Sequence, residues 1–138
     1  AHAQLMAAFT VTRAGAILAV SDFESSVAFY RDRLGLDVEA VYEEPPYATL
    51  SCAGARISLA EQGHPAEDRP GVVMAAPADR SRAGVVLVLE VADALAVHAA
   101  LEAEGVAMLA PPFSPPWGGC RFFCVDPDGY LVEIEQPA

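Results

Sequence analysis

The residues best suited to contact a ligand lie in a proline-rich segment near the end of the chain, residues 110–119. This segment carries two large aromatic side chains, Phe113 and Trp117, each preceded by a Pro-Pro pair. Proline restricts the free loop, so presenting these rings to a ligand costs little ordering entropy. An indole ring also stacks well on a planar heteroaromatic molecule or a cation. The segment therefore predicts an aromatic binding surface, with packing of Trp117 against a sheet edge as the alternative.

Three more side chains are candidates for ligand contact. Tyr42 and Tyr47 flank Pro45-Pro46, and we predict that they line an opposite rim, unless they are ordinary strand residues. Arg121 follows the aromatic segment and either contacts the ligand or pairs with an acidic neighbour.

Signatures of nucleophilic or nucleotide-dependent catalysis are missing from the sequence. It has no Gly-x-Ser-x-Gly elbow, no P-loop and no Gly-x-Gly-x-x-Gly fingerprint. Its three cysteines form no Cys-x-x-Cys pair, and we predict that they are reduced, buried small side chains.

The charge of the chain bears on its partners. The net charge is −11, from 19 acidic and 8 basic residues, which argues against a nucleic-acid partner. The same charge attracts cationic ligands over long range, or serves solubility alone. No apolar run approaches the ~18–20 residues of a membrane helix, so we expect a cytoplasmic protein without a membrane partner. Met6 is a candidate start of the natural chain, and His2 is given no functional weight.

The first half of the chain, residues 14–61, predicts a βαβββ module. Residues 14–20 form a short apolar run that is typical of a buried strand. Ser21 or Asp22 then caps a helix, with Glu24 forming a capping box with Ser21. Three strands are predicted after the helix, at residues 37–43, 47–53 and 55–61. The helix carries one apolar stripe at helical spacing, formed by Phe23, Val27, Tyr30 and Leu34.

The second half, residues 84–136, repeats this pattern after a linker at residues 62–83. A helix capped by Asp93 is predicted between a strand at 84–91 and strands at 106–110, 120–125 and 130–135. The Val-x-Asp sequence that precedes each helix recurs after about 70 residues, which indicates an internal duplication. We therefore predict one α+β domain over residues 1–138, with two tandem βαβββ modules forming a curved mixed sheet around a concave cleft.

Two segments resemble the glyoxalase/bleomycin-resistance superfamily, the vicinal oxygen chelate fold. Residues 20–35 read VSDFESSVAFYRDRLG and resemble the opening of that family. Residues 117–134 read WGGCRFFCVDPDGYLVEI and resemble its closing signature. Together with the duplication, the resemblance covers nearly the whole chain. It implies the two-module fold and a homodimer whose clefts use modules of both chains.

The resemblance also implies where a metal site would lie. The four ligand positions of the family's metal-dependent enzymes correspond here to Gly15, Ser58, Val85 or Val86, and Glu133. A catalytic metal needs at least three fixed donors, and only Glu133 is a suitable one. We therefore expect no metal and no other cofactor. His64 and His98 lie away from these positions.

These observations predict a metal-independent protein that binds a small organic molecule, flat or cationic, as the antibiotic-binding members of the family do. The predicted ligand-binding residues are Trp117, Phe113, Glu133, Tyr47, Tyr42, Ser58 and Arg121. The family position of Glu133 implies that its side chain faces the cleft. Alternation along the strand then places Leu131 and Glu135 on the same side, and Val132 and Ile134 towards the helices. The alternatives are a lyase, isomerase or dioxygenase of the same fold that uses a metal or Glu133, and a regulatory module with a vestigial cleft.

Overall fold

The first βαβββ module is present as predicted, within a computed structural model that describes residues 8–138. Its strands are β1 (Gly15–Val20), β2 (Asp37–Glu43), β3 (Pro46–Cys52) and β4 (Ala55–Glu61). They form one sheet in the order β1-β4-β3-β2, in which β1 and β4 run parallel and the other pairs antiparallel. The interpretation of Met6 and His2 concerns residues outside the described part of the chain.

The second module builds a smaller sheet of the same design. Its strands are β5 (Val86–Glu90), β6 (Cys120–Val125) and β7 (Leu131–Gln136), in the order β5-β7-β6. The first strand again runs parallel to the last one, and β6 and β7 form an antiparallel hairpin. The α+β class and the tandem arrangement are therefore confirmed, with the hydrogen-bonded ladders divided into two mixed sheets. No helix or strand occurs in residues 62–83.

The strand predicted at residues 106–110 is wrong, because the structure has only one isolated bridge residue, Met108, in this range. Only isolated bridges pair this segment with β6, from Met108 to Cys124 and from Phe113 to Arg121. Pro111 and Pro112 lie between the two bridges, and proline has no N–H to donate to a ladder. The segment therefore follows the edge of β6 as a broken fourth strand, in the place that β2 takes in the first sheet.

Each sheet is covered on one face by a helix. Helix α1 (Phe23–Ala28) continues into one π-helical turn, Phe29–Arg33, and α2 spans Ala94–Ala103. Two apolar cores lie between the helices and the sheets, one in each module, and Leu34, Leu87 and Val106 pack against both. Within residues 8–138, no helix covers the opposite face of either sheet, and we call it the uncovered face.

The start of α1 differs from the predicted capping box. Asp22 is the N-cap, and its side chain accepts a hydrogen bond from the Ser25 amide at 3.1 Å. Ser21 instead donates its amide and its hydroxyl to the Asp128 carboxylate, 107 residues away. The predicted capping box with Glu24 does not form, because Ser21 hydrogen-bonds to Asp128 instead. In α2, Asp93 is the N-cap as predicted.

The two modules are joined by buried polar contacts at the β6–β7 turn. The Tyr30 hydroxyl donates to Oδ2 of Asp126 at 2.7 Å, while Oδ1 accepts the amides of Asp128 and Tyr130 at 2.9 and 2.8 Å. The Tyr130 hydroxyl donates to the Ala19 carbonyl at 2.8 Å. Burial raises the pKa of Asp126 above its ordinary value, although its hydrogen bonds act in the opposite direction. The Asp-Pro-Asp-Gly turn is thus a junction as well as a hairpin connection.

The three cysteines form no disulfide bond with one another, and one of them is fully buried. Cys124 is buried, and Cys52 and Cys120 are half-buried. Burial raises the pKa of the Cys124 thiol to about 11, so little of it is present as the reactive thiolate. No helix within residues 8–138 is long and apolar enough to cross a membrane.

Candidate functional site

Four of the predicted site residues meet on the uncovered face of the second module. The guanidinium carbon of Arg121 lies 5.6 Å from the ring centre of Phe113 and 5.8 Å from that of Trp117. Phe123 supplies a third ring at 5.6 Å. Glu133 faces the same guanidinium, with 3.6 Å between its Oε1 and Nη1 of Arg121. We call Phe113, Trp117, Phe123 and the guanidinium between them the Arg121 cage.

Strand pairing brings the cage residues together. Phe113 and Arg121 exchange two backbone hydrogen bonds, of 2.8 and 2.9 Å, across the edge of β6. Between them the chain reverses through Gly118 and Gly119, both with positive φ. A β-carbon on Gly119 would lie 2.4 Å from the carbonyl oxygen of Gln136, so only glycine fits this approach to β7. The turn holds Trp117 beside Arg121.

Trp117 is the most accessible part of the cage. Its side chain is 72% exposed and that of Phe113 is 51% exposed. Neither ring lies in an apolar core. Trp117 is therefore not packed against a sheet edge, which was the alternative prediction. An exposed aromatic pair held by strand pairing is a surface that a flat ligand can cover.

Glu133 occupies the position that alternation along β7 predicts. Val132 and Ile134 are buried in the core beneath α2, whereas the Glu133 side chain is on the opposite face and only 12% exposed. It lies beside Val88 of β5 and Phe123 of β6. Glu135, two residues further, lies next to Arg121 across the β6–β7 pair. Arg121 thus lies near one carboxylate, that of Glu133, and is the cross-strand neighbour of a second acidic residue.

A pocket of about 330 Å³ opens at the cage. This is the lower end of the usual volume of small-molecule sites. Its walls include Trp117, Cys120, Arg121, Glu133 and Glu135. The pocket therefore combines an aromatic wall with a small excess of negative charge.

Tyr42 and Tyr47 lie on the other sheet, on neighbouring strands β2 and β3. Their ring centres are 6.3 Å apart with the planes tilted by 50°. Tyr42 also borders a separate pocket beside Phe23 and Val27 of α1. The two tyrosines contact each other, but within one chain they do not join the Arg121 cage.

Ser58 also belongs to the first sheet and is 1% exposed. It pairs with Ile17 of β1 and Thr49 of β3. It borders a pocket of about 580 Å³ together with Arg13 and Arg56. The predicted site residues therefore fall into two groups, one on each sheet.

The four family positions do not fit a metal ion. Gly15 and Val86 carry no donor atom, and Ser58 offers a neutral hydroxyl, which leaves Glu133. A β-carbon on Gly15 would lie 2.3 Å from the carbonyl oxygen of Arg56, so no ligating side chain can be placed there without moving β1. Within residues 8–138, no three His, Cys, Asp or Glu side chains are grouped as a metal site requires. His98 instead packs edge-on against Phe122, 4.9 Å away.

The sequence analysis missed Phe123, and it placed Glu135 on the side of Glu133 without counting it among the ligand-binding residues. Alternation along a strand was the available signal, because it places Phe123 on the face of Arg121 and Glu135 on the face of Glu133.

The fold is shared with several solved structures. TnmS3, an antibiotic binding protein from Streptomyces sp. CB03234, is 25% identical, with a TM-score of 0.68 over 96% of this chain and 100% of that one. TioX from Micromonospora sp. ML1 is 19% identical, with a TM-score of 0.72 over 93% and 100%. A lactoylglutathione lyase from Agrobacterium tumefaciens is 19% identical, with a TM-score of 0.70 over 88% and 90%.

A comparison with curated protein sequences gave no match. The sequence profile of one family matches residues 9–134, which include the first module, the second module up to Ile134 and the complete Arg121 cage. This chain therefore belongs to the Glyoxalase/Bleomycin resistance protein/Dioxygenase superfamily.

Proposed function

We propose that this protein binds a flat, cationic organic molecule at the Arg121 cage and does not transform it. The main support is that the exposed Trp117 ring and two carboxylates, those of Glu133 and Glu135, line one pocket. An aromatic face attracts a cation, and a nearby carboxylate adds to that attraction. The net charge of −11 draws such a ligand towards the protein.

Sequestration of an antibiotic is the biological role that fits this binding. The likeness to TnmS3, an antibiotic binding protein, supports it. The likeness to a lactoylglutathione lyase supports the alternative of an enzyme of the same fold. Recovery of the bound molecule separates the two: a binding protein returns it unchanged, whereas an enzyme returns a product.

We predict that Glu133→Gln weakens a cationic ligand more than a neutral one. The substitution keeps the shape of the side chain and removes its charge, so the cation loses about fivefold in affinity. A neutral ligand of the same shape loses less than about twofold. Isothermal titration calorimetry with both ligands measures the difference.

Glu39→Gln is the matched control, because Glu39 also pairs with an arginine, Arg13, at 3.2 Å but lies in the first module. It should leave both affinities unchanged. Equal losses for the two ligands in Glu133→Gln would show that the carboxylate has a structural role.

The proposal includes a homodimer in which the uncovered faces of two chains meet. Each face alone holds one group of the predicted site residues, Ser58 with the tyrosines or Glu133 with the cage. Large apolar side chains on the strands at the sheet edges are exposed, namely Ile17, Val86 and Val88. Exposed apolar side chains on open sheet edges are typical of surfaces that pair with another chain.

We therefore expect a dimer in sedimentation velocity, and a monomer after Val88→Glu, because the substitution places a charge in the interface. Val72→Glu introduces the same charge at an exposed loop residue and should leave the dimer intact. A monomeric wild-type protein, or a dimer that survives Val88→Glu, would contradict this part of the proposal.

A further inference from the structure

The guanidinium of Arg121 is surrounded by rings but poorly satisfied in hydrogen bonding. Its Nε is buried and has no hydrogen-bond partner in the described part of the chain. The nearest carboxylate oxygen, Oε1 of Glu133, is 3.6 Å from Nη1, which is beyond hydrogen-bond distance. Among residues 8–138, no oxygen accepts a hydrogen bond from this side chain, whereas Arg13, Arg31 and Arg69 each donate two or more.

The surroundings of Arg121 are those of a cation-binding site. Three aromatic rings lie within 5.8 Å of its guanidinium carbon. Two carboxylates, Glu133 and Glu135, border the pocket that Trp117 and Arg121 also line. Without the guanidinium, these groups would form an aromatic cage with two negative charges, which is the chemistry that binds organic cations. The cage is therefore occupied by a cation that belongs to the protein itself.

We propose that Arg121 is an internal competitor that a cationic ligand displaces from the cage. This inference rests on the proposed function and assigns the ligand class as a planar, permanently charged nitrogen heteroaromatic. The ligand charge takes the place of the guanidinium between the rings and faces Glu133. Arg121 moves into solvent, where water satisfies the donors that the cage leaves unpaired. Its side chain is 34% exposed, so it already has a path outwards.

This arrangement makes Arg121 a specificity-determining residue. A cationic ligand has to exchange with the guanidinium, so its observed affinity is reduced by the competition. A neutral ligand that stacks on the outer face of Trp117 leaves the guanidinium in place. Removal of Arg121 should therefore strengthen the binding of cations selectively, whereas removal of a direct ligand contact would weaken it.

The test compares two probes of the same size, N-methylquinolinium, a permanent cation, and 4-methylquinoline, uncharged in mildly alkaline buffer. Isothermal titration calorimetry is carried out on the full chain and on Arg121→Met, which removes the guanidinium and leaves an unbranched, uncharged side chain. We expect the cation to bind about tenfold more tightly to Arg121→Met and 4-methylquinoline to bind equally to both proteins. Arg121→Lys keeps the charge but loses the planar group, and we expect a smaller gain of the same sign.

Arg82→Met is the matched control, because it removes the same charge from a largely exposed side chain that borders another pocket. It should not change the affinity for either probe. If Arg121→Met and Arg121→Lys bind the cation no more tightly than the wild type does, the displacement of Arg121 is wrong. The proposed function still stands in that case, provided that the wild type binds the cation. If neither probe binds any of the proteins, the proposed function and this inference both fail.

Discussion

Trp117→Ala is expected to remove most of the affinity for the ligand and to leave the stability of the fold unchanged. Stacking on one face of an indole ring contributes about 2 kcal/mol, which corresponds to about thirtyfold in Kd. Because the Trp117 side chain is 72% exposed, its loss should cost less than about 0.5 kcal/mol of unfolding free energy. Calorimetric titration and urea unfolding measure the two effects separately.

Phe9→Ala provides the matched control for this prediction. Phe9 is exposed to nearly the same extent as Trp117, at 73%, but it lies before β1 and outside the cage. Its truncation should change neither affinity nor stability appreciably. If Trp117→Ala binds the ligand as tightly as the wild type, the aromatic loop is not part of the binding site.

Asp126→Ala is expected to destabilise the whole domain by about 3 kcal/mol or more. The carboxylate accepts hydrogen bonds from the Tyr30 hydroxyl and from two backbone amides in the buried junction between the modules. Alanine leaves these donors unpaired and a cavity beside them. Tyr30→Phe removes one of the three bonds and should cost about 1–2 kcal/mol. Urea unfolding of each variant gives the values.

Asp79→Ala is the control, since Asp79 also accepts bonds from a turn residue, Ser81, but at the surface. It should cost less than about 1 kcal/mol. A similar loss in Asp79→Ala and Asp126→Ala would show that the junction contributes no more than an ordinary turn.

Asp126 also predicts a pH dependence of stability. Burial raises its pKa in the folded protein above the ordinary value of 3.8. The folded state therefore binds the proton more tightly. The stability that is linked to this protonation is complete below pH 3.8 and is lost as the pH rises through the folded-state pKa, while the contribution of the hydrogen bonds to the carboxyl group remains. Asp126→Asn keeps an oxygen acceptor for the two amides and cannot ionise, so its stability should change less over this range.

The module design was predictable because it depends on local patterns that occur twice. Alternation along β7 placed Val132 and Ile134 in the core and Glu133 on the opposite face, as the structure has them. The strand at residues 106–110 was overpredicted because its apolar residues fit a strand, while Pro111 and Pro112 interrupt the pairing with β6.

Long-range polar contacts were not predictable from spacing. The Asp-Pro-Asp-Gly sequence is sufficient as a turn, and nothing local indicates that Asp126 receives the Tyr30 hydroxyl from 96 residues away. The sequence did place Phe113, Trp117 and Arg121 near one another. It could not predict that the guanidinium lies between the rings, because this depends on side-chain packing across the edge of β6.

We propose that a flat cation binds at the Arg121 cage without a metal ion and without being transformed. Trp117 is the single tryptophan of the chain, so its fluorescence reports directly on this site. Protein dialysed against a chelator is titrated with N-methylquinolinium, before and after addition of Fe²⁺, Mn²⁺, Ni²⁺ or Zn²⁺. We expect saturable quenching that the metals do not change, with the probe recovered intact. Unsaturable quenching, quenching that requires a metal, or a converted probe would show that this binding mode is wrong.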